Sequence, residues 1–173
     1  MRPSTTSGQN VFELKPLSKE GIEGSVEKAE LYRLLNQPQL AESICLDILL
    51  VEPNHQKAST ILLLALTDQF ETSTAKSNQA FNIARGLKDE YSRVYYQGIV
   101  AERMGSAALR SRTLGADFDA YEWYREAMEF FEKADAASKA DNNDPILRWN
   151  TCARVIMDRH LSERPAETPS FTE

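Results

Sequence analysis

From Ile22 onward, apolar residues recur every three or four positions, the spacing of an amphipathic helix, and polar or helix-breaking clusters interrupt the pattern. In a first segment Val26, Ala29, Tyr32 and Leu35 share a face; in a second Ala41, Ile44, Cys45, Ile48 and Leu49 do the same. Asn36-Gln37-Pro38 separates the two, and Glu52-Pro53-Asn54 ends the second, because a proline ring cannot continue the helix before it. Residues 22–55 are therefore predicted to form one helix-turn-helix hairpin. Ala29 and Ala41 would let the backbones approach closely, and Tyr32 would fill the wedge beside them.

The same reasoning extends down the chain. Ser18 is expected to cap the first helix and Pro38 to open the second. Asn54 would cap a third helix reaching about residue 70, whose Ala58, Ile61, Leu62, Leu63, Ala65 and Leu66 cover much of its circumference, as on a helix flanked on two sides. Ser73 or Thr74 would cap a fourth, striped by Ala80, Ile83, Ala84 and Leu87. A fifth, from Glu90 to Met104, carries Val94, Tyr95, Gly98 and Ala101 and closes at Gly105. Residues 106–118 read as an insertion that extends a helix before breaking at Gly115. A sixth helix, from Asp119 to about Lys139, aligns Tyr124, Ala127, Phe131 and Ala134, with Trp123 and Phe130 widening its apolar face. Asp144 would cap a seventh opened by Pro145 and carrying Trp149 and Ala153. Residues 1–17 are expected to be an extended lead-in and 162–173 a flexible tail, leaving 18–161 as one helical domain.

Composition narrows the function. Twenty Lys plus Arg against 26 Asp plus Glu leave a formal charge of −6, which disfavours nucleic-acid phosphates and anionic lipid. The longest apolar run, 61–66, is too short for a membrane span, and the N-terminus lacks an apolar stretch of signal length, so a cytoplasmic protein is expected. Cys45 and Cys152 read as small buried hydrophobes rather than a disulfide. No phosphate loop, dinucleotide fingerprint, zinc-protease motif or nucleophile elbow occurs. His55 and His160 are not spaced for a metal or a general base, so no enzyme, metal or cofactor is expected.

The first hairpin places a small residue before Tyr on one helix, Ala and two apolar residues on the next, and Pro after it. In this it resembles a tetratricopeptide repeat. Tyr32 to Leu66 and Ala29 to Leu63 span 34 residues, and Gly98 follows Leu63 by 35. The resemblance covers about residues 22–159. It implies an all-α fold of antiparallel helix hairpins stacked as a short right-handed α-solenoid, about three units plus a last helix that caps the stack. It implies that the first helix of each pair lines a concave groove. On that groove it places Val26, Glu30 and Arg33, then Thr60, Leu64 and Thr67, then Tyr95, Ile99, Glu102 and Arg103, then Asn150, Arg154 and Met157. The function it implies is a non-enzymatic adaptor, accessory subunit or assembly factor that holds a peptide or helix of another protein there. One subfamily clamps chaperone C-terminal carboxylates on this face. Val26, Glu30 and Tyr95 stand where that clamp is basic or amide-bearing, so no such clamp is expected. Two other readings stay open: a regulator enclosing a small molecule, with Trp123, Tyr124, Arg110 and Arg112 as its lid, and a homodimer through the aromatic sixth helix.

Overall fold

A helix with one apolar face needs a partner surface, and this chain supplies it by turning back after every helix. In the structure, a computed structural model that describes residues 12–70 and 72–166, the described residues form seven α-helices and no strand. They are α1 (Ile22–Leu34), α2 (Pro38–Val51), α3 (Gln56–Asp68), α4 (Ser77–Arg85), α5 (Glu90–Arg110), α6 (Ala116–Ala137) and α7 (Asp144–Asp158). Each packs on the next. In addition α1 touches α3 and α3 touches α5, so these odd-numbered helices lie side by side. Phe81 of α4 stacks on Trp123 of α6 with ring centroids 6.1 Å apart, linking two of the even-numbered helices. One continuous apolar core runs from Ile22 on α1 to Cys152 on α7 and beyond it to Leu161.

The first hairpin forms where its pattern predicts, except that Leu35 lies past the end of α1 and is exposed. Ala29 and Ala41 are fully buried and Tyr32 is half-buried. Its turn works because Asn36 adopts a left-handed conformation (φ 57°), which asparagine tolerates better than most residues. The Gln37 N–H then donates to the Tyr32 carbonyl at 2.9 Å and the Asn36 N–H to the Arg33 carbonyl at 3.0 Å, satisfying the carbonyls at the end of α1. Cys45 and Cys152 are unpaired and buried, and burial pushes both thiols up to about 12.

Several boundaries differ from the sequence expectation, each for a local reason. Ser18 precedes a short 3-10 turn, Lys19–Gly21, and accepts the Gly21 N–H on its carbonyl, so α1 starts only at Ile22. His55, not Asn54, caps α3: its Nδ1 accepts the Ala58 N–H at 3.2 Å. Neither Ser73 nor Thr74 caps α4, which begins after Lys76. Ala80 thereby holds the fourth position of α4, as Ala41 does of α2. Asn143 rather than Asp144 occupies the cap position of α7.

The largest correction concerns α5 and α6. Gly105 does not stop α5, which continues to Arg110, and α6 starts at Ala116, so most of the supposed insertion is helix. Gly105 is there to admit the Tyr124 ring, which would lie 3.0 Å from a Cβ at that position. The Tyr124 hydroxyl then meets Ser106 Oγ at 2.9 Å. About two turns earlier the Phe131 ring covers Gly98, 2.6 Å from where a Cβ would sit. The break falls at Gly115, at φ 82°.

After α7, His160 takes a left-handed conformation (φ 53°), and the Leu161 N–H donates to the Ile156 carbonyl at 3.0 Å. This motif brings the residue after the left-handed one back onto the helix, and Leu161 is accordingly buried. Farther on, Arg164 pairs with Asp119 at 2.6 Å and lies over the Phe118 ring. Of the expected lead-in and tail, residues 1–11 and 167–173, Val11 included, lie outside the described residues; Phe12 and Leu14 are exposed, and Leu17 packs partly on the core.

Candidate functional site

The side-by-side odd helices are stitched by charge on their shared face. Between α1 and α3, Glu30 meets Lys57 at 3.0 Å and Arg33 Nε lies 2.7 Å from an Asp68 oxygen. From α5, Arg103 Nη2 approaches the other Asp68 oxygen at 3.7 Å. Next to Arg103, Glu102 receives Arg148 Nη1 of α7 at 3.1 and 3.4 Å on its two oxygens. The result is an alternating row, Arg33, Asp68, Arg103, Glu102, Arg148, that crosses α1, α3, α5 and α7. The Nε–H groups of Arg33 and Arg103 are out of solvent contact and meet no aligned acceptor among the described residues; Arg33 is held to Asp68 by proximity of charge rather than by an N–H aimed at it.

Burial shapes the chemistry here. Desolvation holds the Glu102 carboxyl above the usual glutamate value, and the nearby Arg148 and Arg103 guanidinia pull it partly back. Arg148 also engages the Tyr95 hydroxyl; burial raises the Tyr95 phenol and that arginine opposes the rise. The Tyr95 ring stacks on Tyr91, meets Tyr96 edge-on, both at 5.3 Å between centroids, and tilts against Phe131 at 5.8 Å.

The residues expected on a groove divide into three groups. Val26, Thr67 and Ile99 are buried and face the core; Thr67 donates its hydroxyl to the Leu64 carbonyl at 2.8 Å. They are close enough to the helix face to share its periodicity, but their side chains are spent on packing. Arg33, Glu102 and Arg103 belong to the charged row, with Glu30 beside it, while Thr60, Leu64 and Tyr95 are partly buried. On α7 the assignment shifts. At 3.6 residues per turn Asn150 lies about 200° around the helix from Arg148, so α7 turns Arg148 toward α5, and Arg154 and Met157 are exposed. Trp123 packs against Phe81, and Tyr124 lies over Gly105. Arg112 lines an open cleft of about 610 Å³ between the α5–α6 loop and residues 160–162.

Asp68 and Arg148 were not singled out by apolar periodicity because they are polar. A different signal marks part of the row: Arg33, Asp68 and Arg103 follow one another at intervals of 35 residues, alternating in sign. Among the described residues no group of three or more His, Cys, Asp or Glu converges as a metal site would, and no helix is long and apolar enough to cross a membrane. No family model matches the chain, and comparison with curated proteins and with solved structures finds no match either. The class is therefore defined by the structure itself: an all-helical protein of packed adjacent helix pairs.

Proposed function

We propose that the chain is a helical-repeat interaction module, its hairpins stacked as a short solenoid of the tetratricopeptide kind, whose odd-numbered helices present a common face to a peptide or helix of another protein. The observation that carries this reading is the recurrence of Arg33, Asp68 and Arg103 at 35-residue intervals on helices that lie side by side. Positions that repeat in sequence and meet in space are equivalent positions of successive units, and equivalent units generate one extended surface. Binding on such a surface rests on shape and a few anchors, not on bond-making chemistry.

Photo-crosslinking tests the assignment of the face. A benzophenone amino acid placed at Glu30 or Thr60, on the odd-numbered helices, should capture the partner in cells, whereas the same group at Leu46 or Leu50, exposed on α2, should not. Capture from α2 alone would reject the odd-numbered helices as the binding face.

A further inference from the structure

The composition of the charged row bears on what the face would hold. Three guanidinia flank two carboxylates, so even with both acids ionised the row carries a surplus positive charge, in a chain whose formal charge is −6. Exposure also divides by sign. The Asp68 and Glu102 side chains are 19% and 11% exposed, whereas Arg33, Arg103 and Arg148 are 24%, 39% and 37% exposed. The acids lie deeper and the arginines stand over them. A guanidinium has five N–H donors in a planar fork and no acceptor, so three of them offer more donors than two carboxylates can accept. At 3.7 Å Arg103 is beyond hydrogen-bond length from Asp68, which leaves its fork to be oriented by a further acceptor. The buried acids hold the arginines apart and in place, which lowers the ordering cost of a second, outer set of contacts.

Resting on the interaction-module reading above, we infer that this face takes an acidic segment of a partner protein, with Asp or Glu side-chain carboxylates set against Arg103 and Arg148. Planar bidentate pairing with a carboxylate is what an arginine fork does best. Along the same helix faces, Leu64 lies one turn from Asp68 and Tyr95 two turns from Glu102, so apolar residues between the acidic ones have surfaces to rest on. A long polyanion such as a nucleic acid fits poorly, because its phosphates would extend past the row onto a chain with excess negative charge. The carboxylate pairing uses Arg103 and Arg148, positions other than Val26, Glu30 and Tyr95.

The test uses the full chain and a phage-displayed library of random twelve-residue peptides. Selected peptides should each carry at least two Asp or Glu residues. Changing those residues to Asn and Gln in the best peptide should weaken its binding, read by fluorescence anisotropy, by about tenfold or more, as should Arg103→Gln in the protein, with the circular dichroism melt unchanged. Should Arg103→Gln lower the melt, Arg103→Lys, which keeps the charge but loses the fork, replaces it and should weaken binding by a smaller factor. Selection of neutral or basic peptides that still cross-link to position 30 or 60 would overturn the acidic preference and leave the interaction-module reading standing. No enrichment above the bare matrix would overturn both. Displacement of the acidic peptide by inorganic phosphate, but not by acetate at the same ionic strength, would replace carboxylates with phosphorylated side chains and so overturn the assignment.

Discussion

In the α1–α2 hairpin the two backbones approach over alanines, Ala29 and Ala41, both fully buried, while in α5–α6 they approach over glycines, each covered by an aromatic ring of the opposite helix. The first hairpin leaves Leu31, Leu34 and Leu35 of α1 and its turn, and Leu46 and Leu50 of α2, exposed. The α5–α6 pair is enclosed more fully: α5 also contacts α3 and α4, α6 also contacts α7, and Phe131 and Tyr124 are buried between them. The hairpin that follows the repeat pattern most closely is thus not the one with the closest packing. A degenerate pattern records which positions must be small; how closely the helices then pack depends on which large side chain fills the space.

Substitutions can break this comparison. Phe131→Ala removes the ring that covers Gly98 and fills the seam, and should cost about 3–5 kcal/mol, read as a urea-unfolding midpoint well below that of the native chain. A loss under about 1 kcal/mol would mean the α5–α6 seam is no tighter than the first.

A sharper contrast comes from one substitution at two glycines. Gly98→Ala should destabilise by about 1–3 kcal/mol, because its methyl would sit 2.6 Å from a ring with no room to retreat. Gly24→Ala on α1 has nothing within 4 Å of the added methyl, and should stabilise by up to about 1 kcal/mol through helix propensity. If Gly98→Ala stabilises as the exposed Gly24→Ala should, the α5–α6 seam is not closed around Gly98.

The comparison extends to charge, since Glu30 on α1 is half exposed and Glu102 on α5 nearly buried. Desolvation lifts the folded Glu102 carboxyl above its ordinary value of 4.5, against the pull of Arg148 and Arg103, so the folded state binds this proton more readily than the unfolded one. Its contribution to stability is then full below the ordinary value and is lost as pH rises through the raised one. Unfolding midpoints of the native chain relative to Glu102→Gln should therefore fall as pH is taken from about 4 to about 7. A rising difference would mean that the arginines outweigh desolvation. The smallest effect is expected at Leu34→Ser, on the exposed side of α1, where stability should stay within about 0.5 kcal/mol.

Apolar spacing made the helices and their pairing legible, because Ala29, Leu63 and Gly98 recur at nearly one interval and all lie inside the packed faces of their helices. It misplaced what depends on distant residues. Gly105 reads as a stop from its neighbours alone; its reason is Tyr124, on the next helix. His160 is an exposed residue just past a helix end, as its position suggests, but its left-handed backbone depends on the turn that returns Leu161 to the core. The charged row was partly legible: the repeat resemblance names Arg33, Glu102 and Arg103, which belong to it, together with Val26, Thr67 and Ile99, which are spent on the core. Hydrophobic periodicity does not follow charged positions such as Asp68 and Arg148, although Asp68 falls in a spacing as regular as that of Ala29, Leu63 and Gly98.

The return of the chain after α7 has a consequence for synthesis. Leu161 and Arg164 secure the loop end of a hairpin whose own helices were completed by residue 137. On a ribosome the first hairpin has its packing partner once α3 has emerged and its last ion pair, Glu42 with Lys76, just before α4, whereas the α5–α6 loop must wait, unfastened, until residues 161–164 clear the exit. The most closely packed part of the molecule is therefore the last to be locked, and a nascent chain stalled just after α7 would expose Phe118 to whatever else is in the cell.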